Sequence, residues 1–222
     1  MNTQQMQTNH VTLAGKITTL PALSHEVYGE KFYEMTLAVK RLSEVDDFIP
    51  VLISERLLDN ALIALDNLVT VVGQFRSYNK LVGAKSKLVL TVFARDVCAF
   101  DANVNPNFIQ LQGFVCKPPV FRTTPFNREI ADLLIAVNRQ YNKSDYIPCI
   151  TWGRNARFCK SLPVGEQVVV VGRIQSRQYQ KKLDEETTVT LTAYEVSVSK
   201  ITLVDQALAQ AAFDGYATQP TL

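Results

Sequence analysis

The sequence predicts an all-β protein made of two tandem small barrels, and three observations predict it. First, the 222-residue chain nearly contains itself twice, because the stretch around residues 11–97 recurs about 98 residues later. Val11, Leu13, Gly15 and Ile17 reappear as Ile109, Leu111, Gly113 and Val115, and Leu37-Ala38-Val39-Lys40-Arg41 reappears as Ile135-Ala136-Val137-Asn138-Arg139. The same offset carries Asp47-Phe48-Ile49-Pro50 onto Asp145-Tyr146-Ile147-Pro148. Second, each copy runs to about 100 residues, enough to bury a core of its own. Third, each copy gathers Val, Ile, Thr and aromatics into several β-rich segments around a single short helical pattern.

The elements follow in order. In the second copy the expected strands are roughly Phe108 to Cys116, Glu129 to Arg139, Tyr146 to Trp152, Gln167 to Tyr179 and Thr188 to Ile201, with matching strands at the earlier positions of the first copy. Between the third and fourth strands lies a helical spacing, Leu58, Ala61, Leu62 and Leu65 within Glu55 to Leu65, and its shorter counterpart is Asn155 to Leu162. Gly73 and Gly172 fall at one place in the long fourth strand, marking either a bend around the barrel or a simple packing position. Pro50 and Pro148 cannot donate to a ladder and imply an edge or a bulge at the same point of both copies. Five strands with one short helix between strands 3 and 4 is the order of a Greek-key OB-fold, so the chain is expected to hold two tandem OB-folds.

The expected organisation is a first domain at 1–101, a linker at 102–107, a second domain at 108–204 and a flexible C-terminal tail at 205–222. The linker reading rests on the polar, proline-bearing run Asp101 to Asn107, and the tail reading on an Ala- and Gln-rich stretch followed by Gly, Thr and Pro. An apolar fraction of 47% and a charged fraction of 20% are ordinary for a soluble globular protein. No apolar run is long enough for a membrane helix and the start does not read as a secretory signal, so no membrane and a cytoplasmic location are expected. Cys98, Cys116, Cys149 and Cys159 show no C-x-x-C spacing, and with only two histidines no metal site or other cofactor is expected. There is no P-loop, no G-x-S-x-G and no paired metal carboxylates, so no enzyme is expected either.

Charge is distributed unevenly. Residues 1–104 carry 10 basic and 11 acidic side chains, whereas residues 105–204 carry 13 and 8, so the second copy is the one suited to a polyanion. That copy also interleaves the aromatics Tyr141, Tyr146, Trp152 and Tyr179 with Arg139, Lys143, Arg154, Arg157, Arg173, Arg177, Lys181 and Lys182. Bases stack on such rings while cations track phosphates. Taken singly, each aromatic also fits ordinary cross-strand packing. Together with so many cations they do not look like a core, and Tyr146 and Trp152, six residues apart, fall on one face of a strand.

On these residues the second copy resembles the bacterial single-stranded DNA-binding proteins (SSB) of DNA replication, recombination and repair. The resemblance runs through Leu134 to Arg139, Asp145-Tyr146-Ile147, Thr151-Trp152-Gly153-Arg154-Asn155-Ala156, Gly165 and Val168 to Arg177. It implies stacking roles for Tyr141, Tyr146, Trp152 and Tyr179 and phosphate contacts for Arg154 and Arg177. The first copy departs from the pattern: Ser43 and Ser54 stand where Tyr141 and Trp152 do, leaving Phe48 and Tyr78 as platforms. Arg41, Arg76, Lys80, Lys85 and Lys87 remain available to a backbone, although Lys80 to Lys87 reads equally as a solvated hairpin. Since the usual family member assembles four single domains, the resemblance implies a homodimer presenting four OB-folds. The end at Thr218 to Leu222 lacks the family's acidic, Phe-ended tip, so recruitment of partners through such a tip is not expected.

The reading is a non-catalytic, largely sequence-independent single-stranded DNA binder, with RNA not distinguished by spacing alone. Its competitor is an OB-fold assembly module of a replication or conjugation complex with weak DNA affinity, for which the depleted first copy is the best support.

Overall fold

The computed structural model describes residues 8–82, 85–182 and 188–205, leaving aside the side chains of residues 81, 82, 85, 181 and 182. The first repeat forms β1 (Asn9–Val27), β2 (Glu30–Lys40), β3 (Asp46–Ser54), β4 (Leu68–Val82) and β5 (Lys85–Ala99). The second forms β6 (Asn107–Val115), β7 (Val120–Thr123), β8 (Glu129–Asn138), β9 (Ser144–Trp152), helix α1 (Arg154–Cys159), β10 (Gln167–Lys182) and β11 (Thr188–Leu203). Each set closes on itself. The first barrel runs β1-β2-β3-β5-β4 and returns to β1, and the second runs β6-β8-β9-β11-β10 and returns to β6. In both, strand pairs are antiparallel except the short parallel contacts β3–β5 and β9–β11.

Alternation drives the closure. In β3 Ile49, Val51 and Ile53 face inward, and in β9 Ile147 and Cys149 do the same, so each barrel fills with branched side chains. Phe75 is the largest fully buried side chain. The long hairpins β4–β5 and β10–β11 each slip register at one place, between Val72 and Gly73 and between Val171 and Gly172. A Cβ at Gly73 would run into the Phe93 carbonyl oxygen, and one at Gly172 into that of Ser197, so both glycines permit a bulge that bends the strand. Pro50 and Pro148 instead sit in regular ladders opposite Thr36 and Leu134, just outside the two-residue parallel contacts on their other side. Their missing N–H groups match an edge, not a bulge.

Two elements differ from the sequence expectation. Glu55 to Leu65 is not a helix: a 3-10 turn covers Glu55–Leu57, and Asn60 then accepts the Leu62 N–H at 3.0 Å while donating to the Val97 carbonyl at 2.7 Å. That side chain offers the backbone an alternative to helical pairing. The second repeat also has an extra strand, because Pro118-Pro119 interrupts the path that β1 follows unbroken in the first, and β7 resumes against β8.

The barrels are joined by an antiparallel pairing of β1 with β6, in which Val11 lies opposite Ile109. These two are repeat equivalents, and His10 opposite Gln110 and Thr12 opposite Phe108 flank them, so a local two-fold passes through this pair. The duplicated chain thus makes within itself the self-complementary contact of a symmetric dimer. The strand β6 begins at Asn107, and the expected tail beyond Asp205 lies outside the described residues.

Candidate nucleic-acid interface

All six aromatics named from the sequence reach the surface. Tyr141 is 89% exposed, Tyr146 46%, Trp152 40% and Tyr179 37%, with Phe48 at 49% and Tyr78 at 38% on the first barrel. Local structure explains each position. Tyr146 and Trp152 share the outer side of β9, opposite Ala136 and Ile130 of β8, while the intervening Ile147 and Cys149 anchor the strand in the core. Tyr141 and Asn142 both take positive φ in the β8–β9 turn, which the Arg139 N–H closes onto the Lys143 carbonyl at 2.7 Å, and this turn lifts the ring into solvent. Tyr179 lies on β10 with the Arg177 guanidinium 6.0 Å from its ring centre. Gly153, at φ 53° and ψ −118°, makes the sharp exit from Trp152 into α1, a backbone only glycine adopts freely.

The cations separate into groups. Arg154 opens α1 and is exposed, as are Lys143 and Arg177. Arg157 lies on the same helix, its Nε donating to Glu129 at 2.5 Å, and with Arg128 it borders a cavity of about 620 Å³ beside Trp152. The Lys181 and Lys182 side chains lie outside the described residues. Arg139 and Arg173 do not join the outer face of β9. Each belongs to a cleft where one barrel meets the other.

These two clefts centre on Asp47 and Asp145, both fully buried. Asp47 crosses from the first barrel to β10: it accepts the Ser176 N–H at 2.7 Å and hydroxyl at 3.1 Å, a two-pronged pair from Arg41 at 2.7 and 2.5 Å, and Arg173 at 3.3 Å. Burial pushes its carboxyl up, but Arg41 and Ser176 outweigh that and hold it below its ordinary value. Asp145 crosses from the second barrel to β4, accepting the Ser77 N–H at 2.7 Å, and Ser77 in turn accepts the Tyr146 N–H at 2.7 Å. Here Arg139 Nε lies 3.1 Å from Asp145 Oδ2 but off the hydrogen-bonding direction, leaving both buried atoms without a hydrogen-bond partner. Burial pushes the Asp145 carboxyl above its ordinary value, and Ser77, Arg139 and Arg76 offset only part of this.

The first barrel presents Phe48 and Tyr78 in different company. Burial and then the Glu34 carboxylate push the Tyr78 hydroxyl up, so an acid stands near that ring where the second barrel sets an arginine beside Tyr179. In the turn that matches Tyr141's, Leu42 is the fully exposed side chain.

Three surface residues escaped the sequence reading. Phe126 is 87% exposed at the tip of the β7–β8 hairpin, Arg128 lies next to the Trp152 cavity, and Arg95 borders the Asp145 cleft. The first two sit on a hairpin that becomes visible only once Pro118-Pro119 is recognised as a break within a strand. Cys149 and Cys159 are core residues whose thiols are pushed up by burial, and among the described residues no cluster of His, Cys, Asp and Glu is arranged to hold a metal.

Comparison with known proteins bears on this surface. Residues 106–204, the second barrel, match the model of the single-strand binding protein family. Single-stranded DNA-binding protein B of Bacillus subtilis (strain 168) is 31% identical over 86 residues, which are 34% of this chain and 74% of that protein. Single-stranded DNA-binding protein 1 of Lactococcus lactis subsp. lactis (strain IL1403) is 31% identical over 91 residues, 38% of this chain and 61% of that protein. For that relative, and for the Staphylococcus aureus (strain COL) protein of the same name, matched over 50% of its length, the chain spans less than two thirds of the relative. The crystal structure of wild-type single-stranded DNA binding protein from Thermus aquaticus superposes with a TM-score of 0.67 at 20% identity, covering 88% of this chain and 92% of that one. That likeness is one of fold, and it extends over both barrels.

Proposed function

Because this chain belongs to the single-strand binding protein family, we propose that it is a non-catalytic binder of single-stranded DNA, holding the strand mainly on the second barrel by base stacking and phosphate contacts. The observation that carries this reading is the outer side of β9 and its surroundings. Tyr146 and Trp152 are held exposed on a rigid strand, with Tyr141 on one adjoining turn, Tyr179 on the neighbouring hairpin and Arg154, Arg177 and Lys143 around them. Every base has a face that stacks, at about 1–3 kcal/mol per base, so such a surface binds without reading sequence. The exposed cations then neutralise phosphates and release counterions. Lys181 and Lys182 extend the same basic run on β10 in the sequence.

The relatives are named as single-stranded DNA-binding proteins, and the family match falls on the barrel that carries the aromatics and the positive charge. The internal β1–β6 pairing supports the further reading that the chain forms a homodimer presenting four barrels, each chain supplying the equivalent of two single-domain subunits. Phe48 and Tyr78 act as secondary platforms. The test is a titration of intrinsic Tyr and Trp fluorescence with oligo(dT) at rising salt. Quenching with an affinity that falls steeply with salt is expected, and the absence of both would refute DNA binding in favour of an assembly role.

A further inference from the structure

The two clefts between the barrels are repeat equivalents that have been filled differently, and in one of them the cations outnumber and do not hydrogen-bond the buried carboxylate, Asp145. At Asp47 two arginines, Arg41 and Arg173, converge on one saturated carboxylate, and Arg173 also donates to Gln175. At Asp145 the cleft opens into a cavity of about 610 Å³ lined by Arg76 and Arg95 of the first barrel and Arg139, Tyr141 and Lys143 of the second, with no carboxylate among the described residues that line it. Arg76 is fixed in place, stacked 3.8 Å over the Phe93 ring and bonded through Nη2 to Gln74 Oε1 at 2.9 Å. The buried acid of this cleft, Asp145, is already engaged by Ser77 and does not complete a hydrogen bond to Arg139. Asp96, next to Arg95 in sequence, turns its carboxylate to the Val97 N–H and the Cys98 thiol.

An arrangement of preset, mutually repelling guanidiniums around an open cleft is stabilised by an anion entering it. Burial, then Arg139, then Arg95 all disfavour the charge on Arg76, against a partial offset from Asp145. The cavity falls in the size range of clefts that hold small organic ligands, and Tyr141 at its rim offers a stacking surface.

We propose that this cleft is a composite phosphodiester site, in which Arg76 and Arg95 of the first barrel join Arg139 and Lys143 to hold the backbone of a strand whose base stacks on Tyr141. It rests on the single-stranded DNA reading above and deepens it. The strand leaves the second barrel's aromatic face through this cleft and not through the Asp47 cleft, so the first barrel takes part in binding by its arginines at the junction more than by Phe48 and Tyr78.

The experiment uses the full chain and oligo(dT) of about 30 nucleotides, long enough to exceed the ~4–16 nucleotides one barrel occludes. Arg76→Gln with Arg95→Gln is compared with Arg95→Gln alone, an exposed residue whose loss leaves the packing intact, and with Arg56→Gln, which removes a charge of the same barrel outside the cleft. The expected result is a fall of about 1.4 units in the slope of log affinity against log salt for the double variant and about 0.7 for Arg95→Gln, at about 0.7 for each phosphate no longer neutralised. No change is expected for Arg56→Gln. Slopes that stay at the wild-type value in both cleft variants, or that fall equally in Arg56→Gln, overturn the cleft site while wild-type quenching still upholds DNA binding. A wild-type chain that does not bind oligo(dT) overturns both readings at once.

Discussion

Asp47 and Asp145 are the same residue at the same place in two copies of one fold, and both reach across to a serine N–H on the other barrel, at 2.7 Å in each case. Their surroundings give them opposite characters. Two arginines bond Asp47, and Arg41 with Ser176 holds its carboxyl down against burial, whereas burial dominates at Asp145 and pushes it up. The lesson extends to the barrels as wholes. Duplication has kept what positions the chain, namely the bulge glycines, the edge prolines and the crossing carboxylates, while the side chains around them have diverged into a junction whose two arginines both bond its carboxylate and one where Arg139 does not bond its carboxylate and further cations line the cleft.

The largest expected effect sharpens the contrast between faces. Replacing Trp152 and Tyr179 together by Ala removes two stacking platforms and should weaken oligo(dT) binding by about 2–6 kcal/mol, at about 1–3 kcal/mol per base. Phe48→Ala, on the barrel whose other platform stands near Glu34, should cost less than either single change. A fluorescence titration of Phe48→Ala would use Trp152 as reporter, and the Trp152-lacking variant is followed by anisotropy of a labelled oligonucleotide. Equal losses on both barrels would mean that the two faces share the strand evenly.

Next in size is the contrast between junctions. Asp47→Asn strands Arg41 and Arg173 in a partly buried cleft and should lower stability by about 3–5 kcal/mol, the usual cost of removing one member of a buried pair. Asp145→Asn keeps an oxygen for the Ser77 N–H and gives up an approach to Arg139 that was not a hydrogen bond, so its cost should be distinctly smaller. Urea unfolding of both variants measures this directly, and an Asp145→Asn loss as large as that of Asp47→Asn would break the comparison.

How far these features are legible in the sequence depends on their range. The repeat, the five-strand order and the outward placement of Tyr146 and Trp152 follow from periodicity, which is a local property. Asp47 and Asp145 are visible as shared residues, but their partners lie 129 and 68 positions away on the other barrel, and no spacing rule connects them. The cleft is illegible for the same reason, since Arg76 and Arg95 meet Arg139 only because β1 pairs with β6. The helix expected at Glu55 to Leu65 fails through one polar side chain, Asn60, whose bond to Val97 depends on tertiary contact. Leu58 and Leu62 of that spacing still pack on the core beside Leu57 and Ile63, while Ala61 and Leu65 are exposed, so the apolar spacing marks burial only in part once the helix is lost.

The smallest effect is the most discriminating, because the two carboxylates should answer acid with opposite signs. Asp47 titrates lower in the folded chain than in the unfolded one, so the unfolded state binds more protons and stability contributed by Asp47 rises with pH. That contribution is present above the ordinary carboxylate value and is lost as pH falls from there through the lowered one. Asp145 titrates higher in the folded chain, so the folded state holds the extra proton. Its ionisation carries a cost that is complete above the raised value and is relieved as pH falls from there toward the ordinary one. Subtracting the stability of each Asn variant from that of wild type cancels the other titrating groups. The wild-type advantage over Asp47→Asn should therefore shrink as pH falls below the ordinary carboxylate range, while any advantage over Asp145→Asn should grow at somewhat higher pH, on the way down to it. Urea unfolding from pH 7 downward reads both differences, and slopes of the same sign would show that the two clefts, despite their different arginines, are electrostatically alike.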